Sequence, residues 1–219
     1  MKKYMLSAAF IFSYLLFSCE SEKKISREVF EEVQHANEVK KLSEVDIINK
    51  AMEWGEEISK KAQEQLMGTL QTAIEDHDFP GAVEFCNVEA LPILKEVGNK
   101  YGVTIRRASN SYRNPANQPN ENEELLLEAY EYNEEKGIKN QSNVQKVSDG
   151  NLLLFTKAIT IPGGLCLNCH GEPRKEINEE TLNKINQLYP EDKAKGHQIG
   201  DLRGMWSIAI PQKEVVDKM

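Results

Sequence analysis

The chain has 219 residues, of which 27 are Lys or Arg and 35 are Asp or Glu, and its formal net charge at pH 7 is -8. This acidic balance argues against binding nucleic acid, or an anionic membrane surface, by charge. The length suits one ordinary domain, and no internal repeat or low-complexity segment divides the sequence.

Residues 1–18 are typical of a signal peptide. Two lysines at the start are followed by an apolar run that is too short to span a bilayer. The run ends in "LFSC", which resembles the lipobox of bacterial lipoproteins, whose cysteine is acylated. The alternative is an ordinary signal-peptidase site beside an unrelated cysteine. We expect lipidation at Cys19, with the exported lipoprotein anchored in the bacterial cell envelope, in the periplasm or at the outer membrane.

Residues 19–42 are rich in charge and contain neither proline nor glycine. Ile25, Val29 and Val33 follow helical spacing, so this stretch is predicted to be a charged tether, in the form of a helix that holds the domain away from the membrane, with a loose linker as the alternative. The remaining residues, 43–219, are predicted to form one domain.

The domain begins with helical periodicity. Apolar residues recur at three- and four-residue intervals up to about Asp76, and Ser43 followed by Asp46 predicts an N-terminal cap. Asp78 and Pro80 are typical of the start of a second helix.

In this second helix Cys86 shares one apolar face with Phe79, Val83 and Ala90. Pro92 predicts a break in the helix, because the residue before a proline avoids helical angles. A short continuation is expected to run to residue 100.

Later segments mix strands with loops and one helix. Segments rich in β-branched and aromatic residues, or with alternating side-chain character, predict strands. Residues 125–136 predict a helix with an acidic outer face, and Asn- and Pro-rich stretches predict loops. Without regular alternation of helices and strands, the order predicts an α+β fold with an antiparallel sheet. The predicted strands lie in residues 101–109, 151–160 and 204–211, and the loops in residues 110–123 and 189–204.

The stretch "CLNCH", from Cys166 through Cys169 to His170, has the C-x-x-C-H spacing of a c-type haem attachment site. Its thiols would add to the haem vinyl groups and its histidine would bind the iron. The alternatives are a disulfide between Cys166 and Cys169, half of a zinc site, or a thioredoxin-like motif. No second ligand pair with zinc spacing exists. Glycines on both sides predict a loose loop and not the start of a helix.

The second axial ligand of the iron stays open at this point. With Cys19, Cys166 and Cys169 assigned, one of the four cysteines is left over, and an unpaired thiol in an oxidising compartment is buried or occupied. The candidates by ligand chemistry are His35, His77, His197, Met52, Met67, Met205 and Cys86.

Four motifs occur in order: "EFCNVEA", "RRASNSYRNPANQPNENE", "CLNCHG" and "YPEDKAKGHQIGDLRGMWSIAI". Together they resemble a family of single-haem c-type sensor domains with a PAS-like fold. Members occur as stand-alone exported proteins and as the sensor part of histidine kinases. The resemblance covers roughly residues 44–215. It implies one covalent haem c bound by His170 and Cys86, and a twisted antiparallel sheet flanked by helices, with a long N-terminal helix.

Three basic residues are expected near the haem. At least one of Arg106, Arg107 and Arg113 is predicted to pair with a propionate, and the alternative for each is a surface salt bridge. His197 lies in the predicted loop that closes over the site. It is either a hydrogen-bond donor behind the site or exposed, and we expect it to be exposed.

These observations favour a membrane-anchored redox or diatomic-gas sensor that acts through a separate signalling or redox protein. The alternative is a low-potential electron-transfer cytochrome c. An enzyme such as a peroxidase is least favoured, because no His or Glu is identified as a distal acid-base group.

Overall fold

The computed structural model describes residues 26–36, 42–147 and 151–219, without the side chains of residues 32–36. The predicted signal peptide and the lipidation site Cys19 therefore lie outside the described residues, and so does the side chain of His35. The chain forms two compact units, Met1–Lys41 and Leu42–Met219. In the first, helix α1 spans Arg27–Ala36, within the segment predicted as the tether. No described helix is long and apolar enough to cross a membrane.

Helix α2 (Glu44–Tyr101) is the longest element of the second unit. The predicted cap is confirmed, because the Ser43 hydroxyl accepts a hydrogen bond from the Asp46 N–H at 3.1 Å. The predicted division near residue 78 is confirmed as a kink, since Asp78 alone departs from helical angles, with φ 56° and ψ -174°. Gly102, at φ 69°, ends the helix in the left-handed conformation that glycine adopts without strain.

The break predicted at Pro92 was wrong, because the helix continues through it to Tyr101. Proline removes one helical hydrogen bond, which leaves the carbonyl of Val88 without its donor. Val88 and Pro92 are both exposed, so water can reach that carbonyl. The next turn buries Ile93 and Leu94, and this packing stabilises the helix beyond the proline.

The strands are β1 (Thr104–Ala108), β2 (Asn143–Val147), β3 (Leu152–Thr160) and β4 (Leu202–Pro211), and the other helices are α3 (Glu121–Glu135), α4 (Gly164–His170), α5 (Glu179–Leu188) and α6 (Gln212–Val216). The four strands form one antiparallel sheet in the order β1-β4-β3-β2. The α+β architecture, with an antiparallel sheet and a long N-terminal helix, is therefore confirmed. The sequence does not predict strand β2 or helices α5 and α6.

The two faces of the sheet are covered by different helices, because side chains alternate along each strand. Ile105, Phe155 and Ile208 pack against the first half of α2. Leu154 and Met205 face α3 on the other side. A third apolar cluster joins the second half of α2 to α5, and Cys169 packs against it.

Candidate haem site

A cavity lies between α2, α4 and the ends of β1 and β3. Leu66, Leu70, Ile74 and Phe79 of α2 line it and are only partly buried. These side chains form an apolar wall that is not covered by other parts of the described chain, which is typical of a binding site for a largely apolar ligand.

Helix α4 carries the C-x-x-C-H motif, so the predicted loose loop was wrong. Cys166, Cys169 and His170 stand at positions i, i+3 and i+4 of the helix, which share a face, and all three line the cavity. The flanking glycines, which suggested a loop, lie instead at the two ends of the helix. The Gly171 N–H donates to the Leu167 carbonyl at 2.9 Å, and a Cβ at Gly171 would lie 2.8 Å from that oxygen.

The three described cysteines are free thiols, so the alternative of a disulfide between Cys166 and Cys169 is not realised here. Burial raises the pKa of all three, to about 11 for Cys169, where the nearby Arg113 opposes the rise. The thiols are therefore protonated at neutral pH. A thiol that binds a metal would release its proton.

The His170 ring is held in one orientation. Its Nδ1 lies 2.9 Å from the Ala194 carbonyl and donates a hydrogen bond to it, which leaves Nε2 as the unprotonated nitrogen. Burial first, and then the cations of Arg203 and Arg113, hold the pKa of His170 well below its usual range. A neutral histidine with Nδ1 bonded to a carbonyl is the usual form of a metal ligand.

An ion pair connects this histidine to the rest of the domain. The Arg113 guanidinium donates to the Cys169 carbonyl at 2.6 Å and contacts the carboxylate of Asp192, whose side chain is fully buried. Asp192 also accepts from the Ala194 N–H at 2.9 Å. Arg113 and Asp192 therefore fix both the helix that carries the motif and the carbonyl that orients His170.

Cys86 lines the same cavity as the motif, from the half of α2 that follows the kink. Burial raises its pKa, and the positive charges of Arg107 and Arg113 act in the opposite direction. The structure thus brings together Cys86, Cys166, Cys169 and His170, which are separated by up to 84 positions in the sequence.

The other candidate iron ligands fall in different places. Met67 lines the cavity, whereas Met52 packs against the core and Met205 is fully buried toward α3. His77 is exposed. The expectation that His197 is exposed was wrong, because its side chain is only 11% exposed and packs edge-on to the His170 ring at 6.3 Å between centroids.

The three arginines predicted near the haem differ in their contacts. Arg107 and Arg113 line the cavity. Arg106, the neighbour of Arg107 in β1, points to the opposite face of the sheet. It pairs there with the buried Glu123 at 3.4 Å and donates to the Gln118 carbonyl at 2.6 Å. Its contacts therefore do not support a role in the cavity.

Arg203 also lines the cavity, and the sequence analysis missed it. The predicted last strand began at residue 204, but β4 begins at Leu202 and its pairing with β1 brings Arg203 beside Ser109. Gly204 permits this approach, since a Cβ there would lie 2.5 Å from the Ala108 carbonyl oxygen. The sequence feature that could have identified Arg203 is that it is a basic residue directly before the predicted strand.

Within the described residues, no group of three or more His, Cys, Asp or Glu side chains is placed to hold a bare metal ion. Comparison with known proteins gave two findings. A family model described as "Tll0287-like: Tll0287" matches residues 20–211. The crystal structure of the cyanobacterial haem protein Tll0287 superposes with a TM-score of 0.51 at 25% sequence identity, covering 72% of this chain and 96% of that one. No curated protein matches.

Proposed function

Because the chain belongs to the Tll0287-like family, we propose that it binds one haem, attached covalently through Cys166 and Cys169. The observation that carries the proposal is that both thiols and His170 share one face of α4 and line the same cavity as Cys86. The solved relative Tll0287 is itself a haem protein, which supports the same ligand class here.

The residues of the cavity fit a haem. The partly buried side chains of Leu66, Leu70 and Phe79 would pack against the apolar face of the macrocycle. His170 presents an unprotonated Nε2, whose lone pair is free to bind iron, because Nδ1 donates to the Ala194 carbonyl. Cationic side chains line the same cavity, and a haem carries two carboxylates.

We propose His170 and Cys86 as the residues that would bind the haem iron. The assignment of Cys86 rests on the resemblance of the "EFCNVEA" motif and on the position of this thiol in the cavity. Among the other described candidates, Met67 also lines the cavity and is the main competitor. A Cys86 thiolate would stabilise ferric iron and lower the reduction potential, whereas a methionine opposite histidine raises it.

The function that fits this ligand pair best is a redox or diatomic-gas sensor. When bound, the haem would supply a one-electron redox centre that can bind a diatomic gas. A Cys86 thiolate would hold ferric iron more firmly than ferrous iron, because it favours the ferric state. The second half of α2, which carries Cys86, would report this difference to a separate signalling or redox protein, with the chain anchored in the cell envelope through Cys19.

Electron transfer is the second candidate, and one observation favours it. Leu165 lines the cavity and is 49% exposed, so an edge of the bound group would lie close to the surface. Stopped-flow oxidation by a small cytochrome separates the two functions. Fast exchange without a change of axial ligand favours electron transfer, and slow exchange accompanied by loss of Cys86 favours sensing.

The test of the ligand assignment is low-temperature EPR of the ferric protein, produced with a haem c maturation system. We expect a narrow low-spin signal that disappears in Cys86→Ser and persists in the control Met67→Leu. A wide signal that responds only to Met67→Leu would contradict ligation by Cys86. Absence of covalent haem in the mature protein, with Cys166 and Cys169 intact, would overturn the function itself.

The test of the switch is carbon monoxide added to the dithionite-reduced protein. We expect the absorption spectrum to change, because the gas can take the position of a Cys86 that ferrous iron holds less firmly. An unchanged spectrum would contradict the gas-binding switch and leave the electron-transfer alternative.

A further inference from the structure

Two guanidinium groups in the cavity, those of Arg107 and Arg203, have no anionic partner among the described residues. Their buried Nε atoms make no hydrogen bond, and neither does that of Arg106, which differs in having a carboxylate at ion-pair distance. In the part of the chain that the structure describes, the other two arginines of this region are each paired, Arg106 with Glu123 and Arg113 with Asp192. A buried cation without a counter-ion is destabilising, so this arrangement requires an explanation.

Arg107 is the clearer case. It follows Arg106 in β1 but points toward the cavity, where the charged or ionisable groups that act on it are the Cys86 thiol and the Tyr189 hydroxyl. Burial lowers its pKa, and both of these groups are neutral at pH 7 because burial raises their own pKa values, that of Tyr189 to about 12. No described carboxylate compensates the charge of Arg107.

Arg203 is held in place, but by neutral groups. Its Nη1 donates to the Ser109 hydroxyl at 3.1 Å and to the Ser111 carbonyl at 2.9 Å. Burial, together with repulsion from Arg113 and Arg107, lowers its pKa to about 9. The one carboxylate that acts on it, Asp192, already pairs with Arg113.

We propose that Arg107 and Arg203 form a two-carboxylate subsite, in which their guanidinium groups bind the propionates of the haem. This inference rests on the proposed function, because it names the part of the site that binds the acidic edge of that ligand. Two unpaired cations match two carboxylates in charge, and the planar guanidinium fork matches a carboxylate in geometry. Arg113 is not a member, since its charge is matched by Asp192 and it positions α4.

The experiment uses the mature haem-loaded protein and the variants Arg107→Gln and Arg203→Gln. The control is Arg106→Gln, which removes the same charge from the neighbouring position on the opposite face of the sheet and, because it leaves the buried Glu123 unpaired, also reports the effect of a destabilising change away from the cavity. Covalent haem content is measured first, so that failure of haem attachment, which would overturn the proposed function, is distinguished from failure of the subsite.

Resonance Raman spectroscopy of the propionate bending modes is the main measurement, because these bands report hydrogen bonding to the propionates. We expect the bands to shift in both variants and to remain unchanged in Arg106→Gln. We also expect the reduction equilibrium to move about tenfold toward the ferric state in each variant, or about 59 mV for a one-electron couple. The negative charge of a propionate that has lost its arginine partner disfavours the addition of an electron to the haem.

Arg107→Lys keeps the charge and should restore most of the lost potential. If Arg203→Gln fails to fold because its bonds to Ser109 and Ser111 are lost, Arg107→Gln still tests the proposal, since Arg107 makes no such bonds. Propionate bands and potentials that match those of Arg106→Gln would overturn the subsite. A potential that instead follows the concentration of added phosphate would assign the two cations to a soluble anion and also overturn it.

Discussion

The orientation of the His170 ring depends on residues that are distant in the sequence and do not touch its Nε2 atom. Ala194 accepts from its Nδ1, Asp192 accepts from the Ala194 N–H, and Arg113 pairs with Asp192. Since Asp192 is fully buried, the pair can be broken only by leaving a cation without its partner. This network makes Asp192 a positioning residue for His170.

We expect Asp192→Asn to lower the free energy of unfolding by about 3 kcal/mol, the usual effect of removing one partner of a buried pair. Asparagine can still accept from Ala194, but it leaves the Arg113 charge uncompensated. Urea denaturation of the mature protein measures the change. The control Asp201→Asn, at a side chain that is 43% exposed, should change stability by less than about 0.5 kcal/mol.

The same pair predicts sensitivity to acid. Burial alone would raise the pKa of Asp192, but Arg113 and the Ala194 N–H outweigh burial and hold the pKa below its ordinary value of 3.8. The stabilisation is therefore present above the unfolded-state pKa and is lost as the pH falls through the lower folded-state pKa. We expect the Asp192→Asn variant to lose less stability than the unsubstituted protein as the pH falls below 4. An unchanged acid dependence would contradict this assignment.

At the scale of elements, the kink in α2 and the helical form of α4 decide the site. The kink separates Leu66, Leu70 and Ile74 of the apolar wall from the half of α2 that carries Phe79 and Cys86. Asp78 lies there at φ 56° and ψ -174°, a region that is almost confined to glycine. The chain therefore carries backbone strain at this position.

We expect Asp78→Gly to raise the free energy of unfolding by about 1 kcal/mol, because glycine relieves that strain. The matched control is Asp76→Gly, two positions earlier in regular helix, which should lower stability by up to about 1 kcal/mol. Thermal and urea unfolding of both variants shows whether each substitution raises or lowers the free energy of unfolding. If both substitutions destabilise the protein equally, Asp78 is not strained.

At the scale of the whole molecule, close packing of α2 on the sheet holds the cavity wall in place. Gly55 makes the closest contact, since a Cβ built on it would lie 2.2 Å from the ring of Phe155, which is fully buried in the centre of β3. The helix can approach the sheet this closely only because position 55 has no side chain.

Gly55→Ala should therefore lower the free energy of unfolding by about 1 to 3 kcal/mol through overpacking. Gly68→Ala is the control on the same helix, because nothing lies within 4 Å of its Cβ and alanine favours the helix by up to about 1 kcal/mol. In urea denaturation we expect Gly55→Ala to lower the free energy of unfolding and Gly68→Ala to raise it. A stabilising effect at both positions would show that α2 shifts away from the sheet at little cost.

Local sequence signals predicted the features that depend on neighbouring residues. The Ser43 cap, the kink near Asp78 and three of the four strands follow from side chains within a few positions of one another. The C-x-x-C-H motif likewise identified the candidate haem site from five consecutive residues, and the family resemblance added Cys86 to it.

Tertiary packing decided the rest. Pro92 stays helical because Ile93 and Leu94 are buried beyond it, and α4 is a helix whose end is held by the backbone of residues 196 and 197. His197 is held beside His170 by the hydrogen bond from its own N–H to the His170 carbonyl, and the approach of Arg203 to the cavity depends on the pairing of β4 with β1. These features could not be predicted locally, because hydrogen bonds and burial between distant segments outweigh the weak preferences of single residues for helix, loop or solvent.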